Sequence, residues 1–249
     1  MIKLSHVVLA SPQQMEFIIE GMRNPMNSWD KSDSYMNFTV EYDDDFYETE
    51  IHHPYYRVGA GDNKLMQCLA EAGTDHRKYM RMMPVYVRIT APLYWWKEFD
   101  TYKIGTVANS CSTMYKIAAK EFTLEDFSIE HLLNEPIYIN DGLDPAEIRI
   151  LPHILMVNTI DALNICRKKY LETKTKPMKE ESKREELIKK YWWQMIQLLP
   201  SSYNQTRNVM LNYEVLANMY KSRKNHKLDE WREFCKWIKT LPYNELITG

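Results

Sequence analysis

Glycine is scarce in this sequence, with seven residues among 249, and neither a GxGxxG nor a GxxxxGKS/T pattern occurs. A glycine-rich backbone cradle for a nucleotide phosphate is therefore not expected. The nearest approach, Gly59-Ala60-Gly61, is too short. Cysteine is equally sparse: Cys68, Cys111, Cys166 and Cys235 lie far apart and form no CxxC pair. That spacing argues against a zinc site and against a disulfide framework, and it suits a reducing compartment. No run of 18 apolar residues is present to span a membrane. The N-terminal stretch lacks the basic flank, apolar run and cleavage site of a signal peptide, so a cytoplasmic protein is expected. Neither sign of charge dominates, with 32 Lys and Arg against 34 Asp and Glu, and no global field for nucleic acid results.

Apolar and aromatic material is plentiful, at 45% and 12% of residues. It supplies a substantial core for one large domain or two small ones. Ile2–Ala10 reads as a first strand. Ser11-Pro12 follows as N-cap and first helical residue, and Met15, Ile18, Ile19 and Met22 carry a helix to about Arg23. After a polar loop, Phe38, Val40 and Tyr42 alternate as a strand. The acidic run Asp43–Asp45 beside His52-His53 has no EF-hand spacing and reads as a solvated turn. Asp62–Gly73 is helical, with Gly73 just past its end, and His76 in the next segment reads as a surface residue. Later, Thr123–Leu133 opens with a TLED capping box before a short helix. Residues 136–144 read as loop, and Pro145 starts a long amphipathic helix reaching about Tyr170. The mixed-charge stretch Thr173–Lys190 is a solvated helix or a flexible excursion rather than a nucleic-acid patch.

Two stretches carry the chemistry. In the first, Val85, Val87 and Ile89 alternate with Tyr86, Arg88 and Thr90 as a half-buried strand that Ala91-Pro92 ends. A short helix, Leu93–Lys103, follows with Tyr94, Trp95, Trp96 and Phe99. Ile104–Met114 then offers Asn109, Ser110, Ser112 and Thr113 on a loop of the kind that binds ligands. In the second, Leu199-Pro200 and the turn SSYNQTR lead to a helix from about Val209 to Ser222. It is extended by Arg223, with His226 three residues on. On one helix Asn212 and Arg223, eleven residues apart, would lie within about 20° of one face and about 16 Å apart. Read as residues alone, Asn212 is cap-like or exposed, and Arg223 complements the helix dipole.

Together these stretches resemble the flavin-dependent thymidylate synthases, the thymidylate synthase-complementing family. That family opens with a strand, Ser-Pro and a helix. Its central strand ends in Ala-Pro before a helix and the motif R-H-R-x-x-S-x-N-E-x-S-x-R. Its later signature is a Leu-Pro, a polar turn and N-x5-N-x4-R with a histidine close behind, matched here by Asn212, Asn218, Arg223 and His226. Departures are concentrated in the arginines. Aligned on Asn109 and Ser112, the chain has Tyr102-Lys103-Ile104 in place of R-H-R. Aligned on Ala91-Pro92, it has Thr101-Tyr102-Lys103 there, and Thr106 takes the first serine. The motif's last arginine falls on Met114 or Thr113, and Glu214 and Ile196 stand where two further family arginines would be.

The resemblance implies an α+β fold: a single domain over 1–249, with a mixed sheet flanked by helices, a helical subdomain and a charged insertion near 173–190. It implies a homotetramer that reductively methylates deoxyuridine monophosphate using FAD, with NADPH and methylenetetrahydrofolate as co-substrates. By the same resemblance Arg223 is catalytic and binds the substrate together with Ser110 and Ser112. Lys103, Asn109, Asn212, Asn218 and His226 are implied to contact the cofactor, and Cys111 is a bystander in the site loop. A pyrimidine deoxynucleotide is the expected partner, without membrane or nucleic acid. Two alternatives stay open: action on another pyrimidine nucleotide, or a non-catalytic nucleotide- or flavin-binding or assembly protein on the same fold.

Overall fold

The computed structural model describes residues 1–41, 51–139, 148–177 and 179–249. Tyr42, the Asp43–Asp45 run and the expected helix start at Pro145 lie outside the described residues. The chain opens with β1 (Lys3–Leu9), α1 (Pro12–Arg23), the hairpin β2 (Tyr35–Glu41) and β3 (Ile51–Arg57), α2 (Ala60–Glu71) and α3 (Lys78–Met82). Then come β4 (Pro84–Pro92), α4 (Leu93–Phe99), β5 (Val107–Ser110), α5 (Thr113–Lys116), β6 (Ile137–Ile139) and β7 (Ile148–Ile150). The chain continues through α6 (Pro152–Thr175), α7 (Glu181–Leu198), β8 (Asn204–Asn212), α8 (Tyr213–Arg223), α9 (Asp229–Ile238) and α10 (Glu245–Thr248). Two compact units result. One holds Met1–Lys3, Thr90–Glu98 and Ser110–Thr206; the other holds Leu4–Ile89, Phe99–Asn109 and Arg207–Gly249.

The second unit contains most of a four-stranded sheet in the order β1-β4-β8-β5. Period-2 alternation gives it one apolar face: Val85, Val87 and Ile89 of β4 and Val209 and Leu211 of β8 are buried, while Tyr86, Arg88 and Asn208 are exposed. Helix α1 starts as the sequence predicts. Ser11 caps it, Gln14 returns the bond in a capping box, and Pro12 takes the first turn. Its Ile18, Ile19 and Met22 are buried. Gly73 follows the C-cap of α2 with φ +103°, the left-handed conformation that glycine adopts without a Cβ penalty. Asp62, wholly buried, accepts from Arg23 Nε at 2.6 Å and from the hydroxyls of Ser32 and Ser34 at 2.7 and 2.6 Å. A buried carboxylate is tolerable only with such a full set of donors. The glycines before it have a related use. Asp33 brings its carboxylate onto the backbone N–H groups of Gly61 and Asp62, where a Cβ on Gly59 would collide with it at 2.2 Å. The protein's own carboxylate thus occupies that helix start.

In the first unit, α6 and α7 pack against each other beside a core of Ile117, Phe122, Phe127, Met156, Ile160, Leu163 and Met195. Helix α4 begins where the backbone N–H groups of Leu93 and Tyr94 donate to the carbonyls of Tyr203 and Ser201, both at 3.0 Å. Trp96 donates its indole N–H to the Gln205 carbonyl at 2.9 Å. The predicted TLED capping box is present, although the turn it starts, Leu124–Asp126, is a 3-10 helix. Apart from residue 178, the charged stretch 173–190 spans the end of α6 and the first half of α7.

Four expectations are corrected. The helix expected from Val209 begins at Tyr213; residues up to Asn212 are strand β8, because Val209 and Leu211 bury one side of the alternation. The helix expected from Pro145 begins at Pro152, after Ile148–Ile150 has paired antiparallel with Ile137–Ile139 of the expected loop. The helix expected to Lys103 ends at Phe99. The supposed loop 104–114 contains the exposed strand β5 and the first two residues of the one-turn α5.

Asn212 closes β8 and caps α8, its side-chain oxygen accepting from the Val215 N–H at 2.9 Å. Replacing it by alanine should cost about 0.5–2 kcal/mol in a denaturant melt, with Asn212→Asp close to the parent. Equal losses in the two variants would mean the cap contributes nothing.

Candidate functional site

At the end of α8 the half-buried Arg223 is held by aromatic groups of its own unit. Its Nε donates to the Tyr102 hydroxyl at 2.9 Å, and the guanidinium carbon lies 4.9 Å from the centre of the Trp231 ring and 5.6 Å from that of Tyr102. A planar, weakly hydrated cation suits such a seat, whereas a lysine ammonium does not reproduce it. His226 joins the group with its ring 6.4 Å from Trp231, centre to centre. Its Nδ1 accepts from the Leu228 N–H at 3.2 Å, which places the proton of the neutral imidazole on Nε2. Nearby, Gly105 has φ +79°, and a Cβ there would come within 2.8 Å of the Asn212 amide nitrogen. Tyr102–Gly105 can follow this path only with glycine at 105.

The first turn of α8 carries a second cluster. Glu214, buried, accepts from Arg77 Nε at 3.3 Å and is ion-paired with Arg81. Arg77 also donates to the Asn218 side-chain oxygen at 3.4 Å. Burial pushes the Glu214 carboxyl up, but the Arg81 and Arg77 guanidiniums outweigh it and hold the group below its ordinary value. A cleft of about 590 Å³ opens beside this cluster, with Arg77, Asn218, Lys221 and Lys224 on its wall.

In the other unit, a cavity of about 840 Å³ is lined by hydroxyl and amide groups, among them Ser112, Thr113, Tyr203, Gln205 and Thr206. The Thr90 and Thr206 hydroxyls share a hydrogen bond of 2.7 Å, and Gln205 Nε2 donates to the Thr113 hydroxyl at 2.9 Å. Lys120 also reaches this cavity, paired with Asp126. Ser112 caps α5, its hydroxyl accepting from the Tyr115 N–H at 3.2 Å.

The residues singled out in the sequence therefore fall into several environments. Arg223 and His226 share the aromatic seat. Asn218 belongs to the arginine cluster, and Ser112 to the hydroxyl-lined cavity. Asn109 lines a shallow groove of about 400 Å³ beside Tyr86 and Arg88, and Ser110 and Lys103 are exposed. The shared helical face expected for Asn212 and Arg223 does not exist, since Asn212 precedes the helix as its cap. Sequence reasoning missed Tyr102, Trp231, Arg77 and Arg81. A signal for the arginines was available: Glu214 breaks the family pattern with a charge that had to be neutralised once buried.

Glu214 makes a pH-dependent contribution. With its folded value below the unfolded 4.5, the stabilisation is complete above that value and is lost as pH falls through the folded one. Glu214→Gln should therefore flatten the fall in melting temperature below about pH 4.5. An acid limb identical to the parent's would remove Glu214 from the account.

No family model matches the sequence, and no curated protein matches it. Among solved structures, the chain is similar to the flavin-dependent thymidylate synthase ThyX from Helicobacter pylori complexed with FAD and dUMP. The TM-score is 0.56 and the identity 15%, over 99% of this chain and 97% of that one. It is also similar to the UMP/dUMP methylase PolB from Streptomyces cacaoi bound with 5-Br dUMP, at TM-score 0.52 and 14% identity, over 100% and 94% of the two chains. What the chain shares with these proteins from end to end is their α+β fold.

Proposed function

We propose that the protein is a flavin-dependent thymidylate synthase-like enzyme that reductively methylates a deoxyuridine monophosphate-type pyrimidine nucleotide. The observation that carries this reading is Arg223. It stands at the arginine position of the N-x5-N-x4-R pattern, on a fold similar over nearly its full length to two proteins solved with dUMP or its 5-bromo derivative. NADPH and methylenetetrahydrofolate would be the co-substrates.

The residues present fit a diphosphate-bearing cofactor such as FAD. Asn218, the second asparagine of the pattern, opens on a cleft whose wall holds the cations Arg77, Lys221 and Lys224 beside the acids Glu71 and Glu245; the cations match the charge of a diphosphate. Asn212 has a capping role, and Lys103 and His226 stand near the Arg223 seat in sequence or space. FAD, when bound, supplies the hydride. The chain's own part is orientation and electrostatics. Arg223 presents donors to the carbonyl edge of the pyrimidine and stabilises negative charge on a ring oxygen more in the transition state than in the ground state.

A homotetramer suits the uncovered side of the sheet, where Val8 and Val107 are 53% and 63% exposed beside Tyr86. Apolar strand surface left open in this way is the kind that subunits bury.

A second reading, action on another pyrimidine nucleotide, is favoured by Tyr102. In either register it falls within the R-H-R positions, and it takes the Arg223 Nε–H. Complementation of a thymidine-requiring strain separates the two readings.

Arg223→Ala should lower turnover on dUMP by about 10²–10³, and Arg223→Lys by nearly as much, because lysine keeps the charge but loses the donor fork. If Arg223 serves only the helix dipole, lysine should behave like the parent; unchanged dUMP binding in Arg223→Ala would end the assignment. Titration calorimetry should detect FAD binding, and sedimentation should give a tetramer at micromolar concentration. A monomer there would sink the assembly reading.

A further inference from the structure

A cavity of about 250 Å³ lies within the second unit, where the β1–α1 turn, β3, the start of β4, the start of α8 and the turn before α10 meet. Tyr55, Tyr56, Tyr213 and Tyr243 form much of its wall with prolines and methionines, and among the described residues no charged side chain lines it. It is smaller than the roughly 300–1,000 Å³ of a pocket that encloses a drug-sized ligand, so it suits a head group rather than a whole nucleotide. Tyr243 is held there against a backbone penalty. Its φ of +52° lies in the left-handed region that an L aromatic residue seldom adopts. The Tyr213 hydroxyl donates to the Pro242 carbonyl at 2.5 Å and the Leu246 N–H to the Tyr243 carbonyl at 3.1 Å, which fixes the turn on both sides. Strain of this kind persists where the surroundings over-determine it, and it concentrates at ligand clamps.

The charge around this cavity has one sign. Glu16 follows Met15 of its wall, and Glu245 lies two residues beyond Tyr243; both are exposed, and among the described residues neither has an ionic partner. Burial holds the Tyr56, Tyr213 and Tyr243 phenols above their ordinary value, and nearby carboxylates add to it: Asp62 and Glu16 at Tyr56, Glu245 at Tyr213 and Tyr243. Lysine or arginine groups stand over Tyr102, Tyr170, Tyr220 and Trp231. Among the described residues none stands over the four rings of the cavity. Aromatic faces carry the negative lobe of the ring quadrupole, so this wall attracts a cation. The kind of cation follows from hydrogen bonding. A lysine ammonium brings three N–H donors and a guanidinium five, whereas the lining is apolar and its hydroxyls are engaged: Tyr213 with Pro242, and Tyr55, which accepts from Asn37 Nδ2 at 2.8 Å. An ammonium alkylated at every position brings no donor and leaves none unsatisfied. We propose that the cavity binds the quaternary ammonium head group of a small molecule against the tyrosine rings, with Glu16 and Glu245 balancing its charge. The proposal does not depend on the flavoenzyme reading.

Choline, followed by its methyl NMR signal in the presence of the intact protein, tests the site beside its uncharged tert-butyl isostere, in which carbon replaces the ammonium nitrogen. Choline should bind, and the isostere about tenfold more weakly or worse, since it fills the same volume without the charge. Tyr243→Phe should bind choline like the parent because the ring face remains, whereas Tyr243→Leu should weaken binding about tenfold. Tyr55→Leu, at a position 39% exposed, should weaken it in the same direction and gives a second variant should Tyr243→Leu fail to fold. Glu16→Gln combined with Glu245→Gln should weaken choline, flatten its salt dependence and leave the isostere unchanged. A melting curve on each variant separates ligand loss from unfolding. Absence of choline binding by the parent overturns the proposal. So does an isostere that binds as tightly as choline, which would make the cavity a plain apolar pocket. Folded Tyr243→Leu and Tyr55→Leu variants that both bind like the parent overturn it as well, as does an oligoproline peptide that binds where choline does not.

Discussion

The junction between β8 and α8 is the constraint on which the rest of the candidate site depends. A strand must release its ladder and a helix must find partners for its first N–H groups within a residue or two. Asn212 resolves both demands by ending the strand in extended conformation and accepting the Val215 N–H. Everything downstream is then set by helical geometry. Glu214 falls in the first turn, where the helix dipole favours a carboxylate; Asn218 lies one turn on; and Arg223 closes the helix beside Trp231. Gly105, with its positive φ, lets the Tyr102 segment pass close to the same asparagine. A single side chain therefore links the apolar register of β8 to the position of the cations.

Buried charge is handled by one device in two places. Asp62 is surrounded by Arg23 and two serine hydroxyls, and Glu214 by two arginines. In each case the carboxylate fixes elements that are distant in sequence: α1 and the turn before β2 with α2 for Asp62, and the segment around α3 with α8 for Glu214. Such pairs add modestly to stability once desolvation is counted, but breaking one partner is costly. They specify arrangement more than they add free energy. The difference between the two is that Asp62 is sealed from solvent, whereas the Glu214 cluster borders a cleft.

The likeness to ThyX and PolB at 15% and 14% identity shows how little of a fold resides in particular residues. Alternating apolar positions in β4 and β8, capped helix starts and a packed helical pair are requirements of shape that many sequences can meet. Site chemistry is less forgiving, and there the chain departs from the family pattern, with Tyr102 and Glu214 at positions where histidine or arginine was to be expected. Arg77 and Arg81 stand beside Glu214.

Local patterns were legible in the sequence because their physics is local. The Ser11 capping box, the Gly73 stop, the alternation of Val85, Val87 and Ile89 and the TLED turn each depend on residues within a few positions of one another. The α+β class was what the resemblance implied, and the structure has it. Tertiary structure alone decided that residues 204–212 are a strand: Val209 and Leu211 fit either a short strand or a helix, and the sheet partners selected the strand. It also decided that Ile148–Ile150 pairs with a segment read as loop. Most of the site was decided in the same way. Tyr102 meets Arg223 across 121 positions and Arg81 meets Glu214 across 133, and no local periodicity encodes such encounters. They arise because folding brings a carboxylate out of water beside whichever cations the topology delivers there, and the cost of leaving a buried charge alone selects the pair that forms.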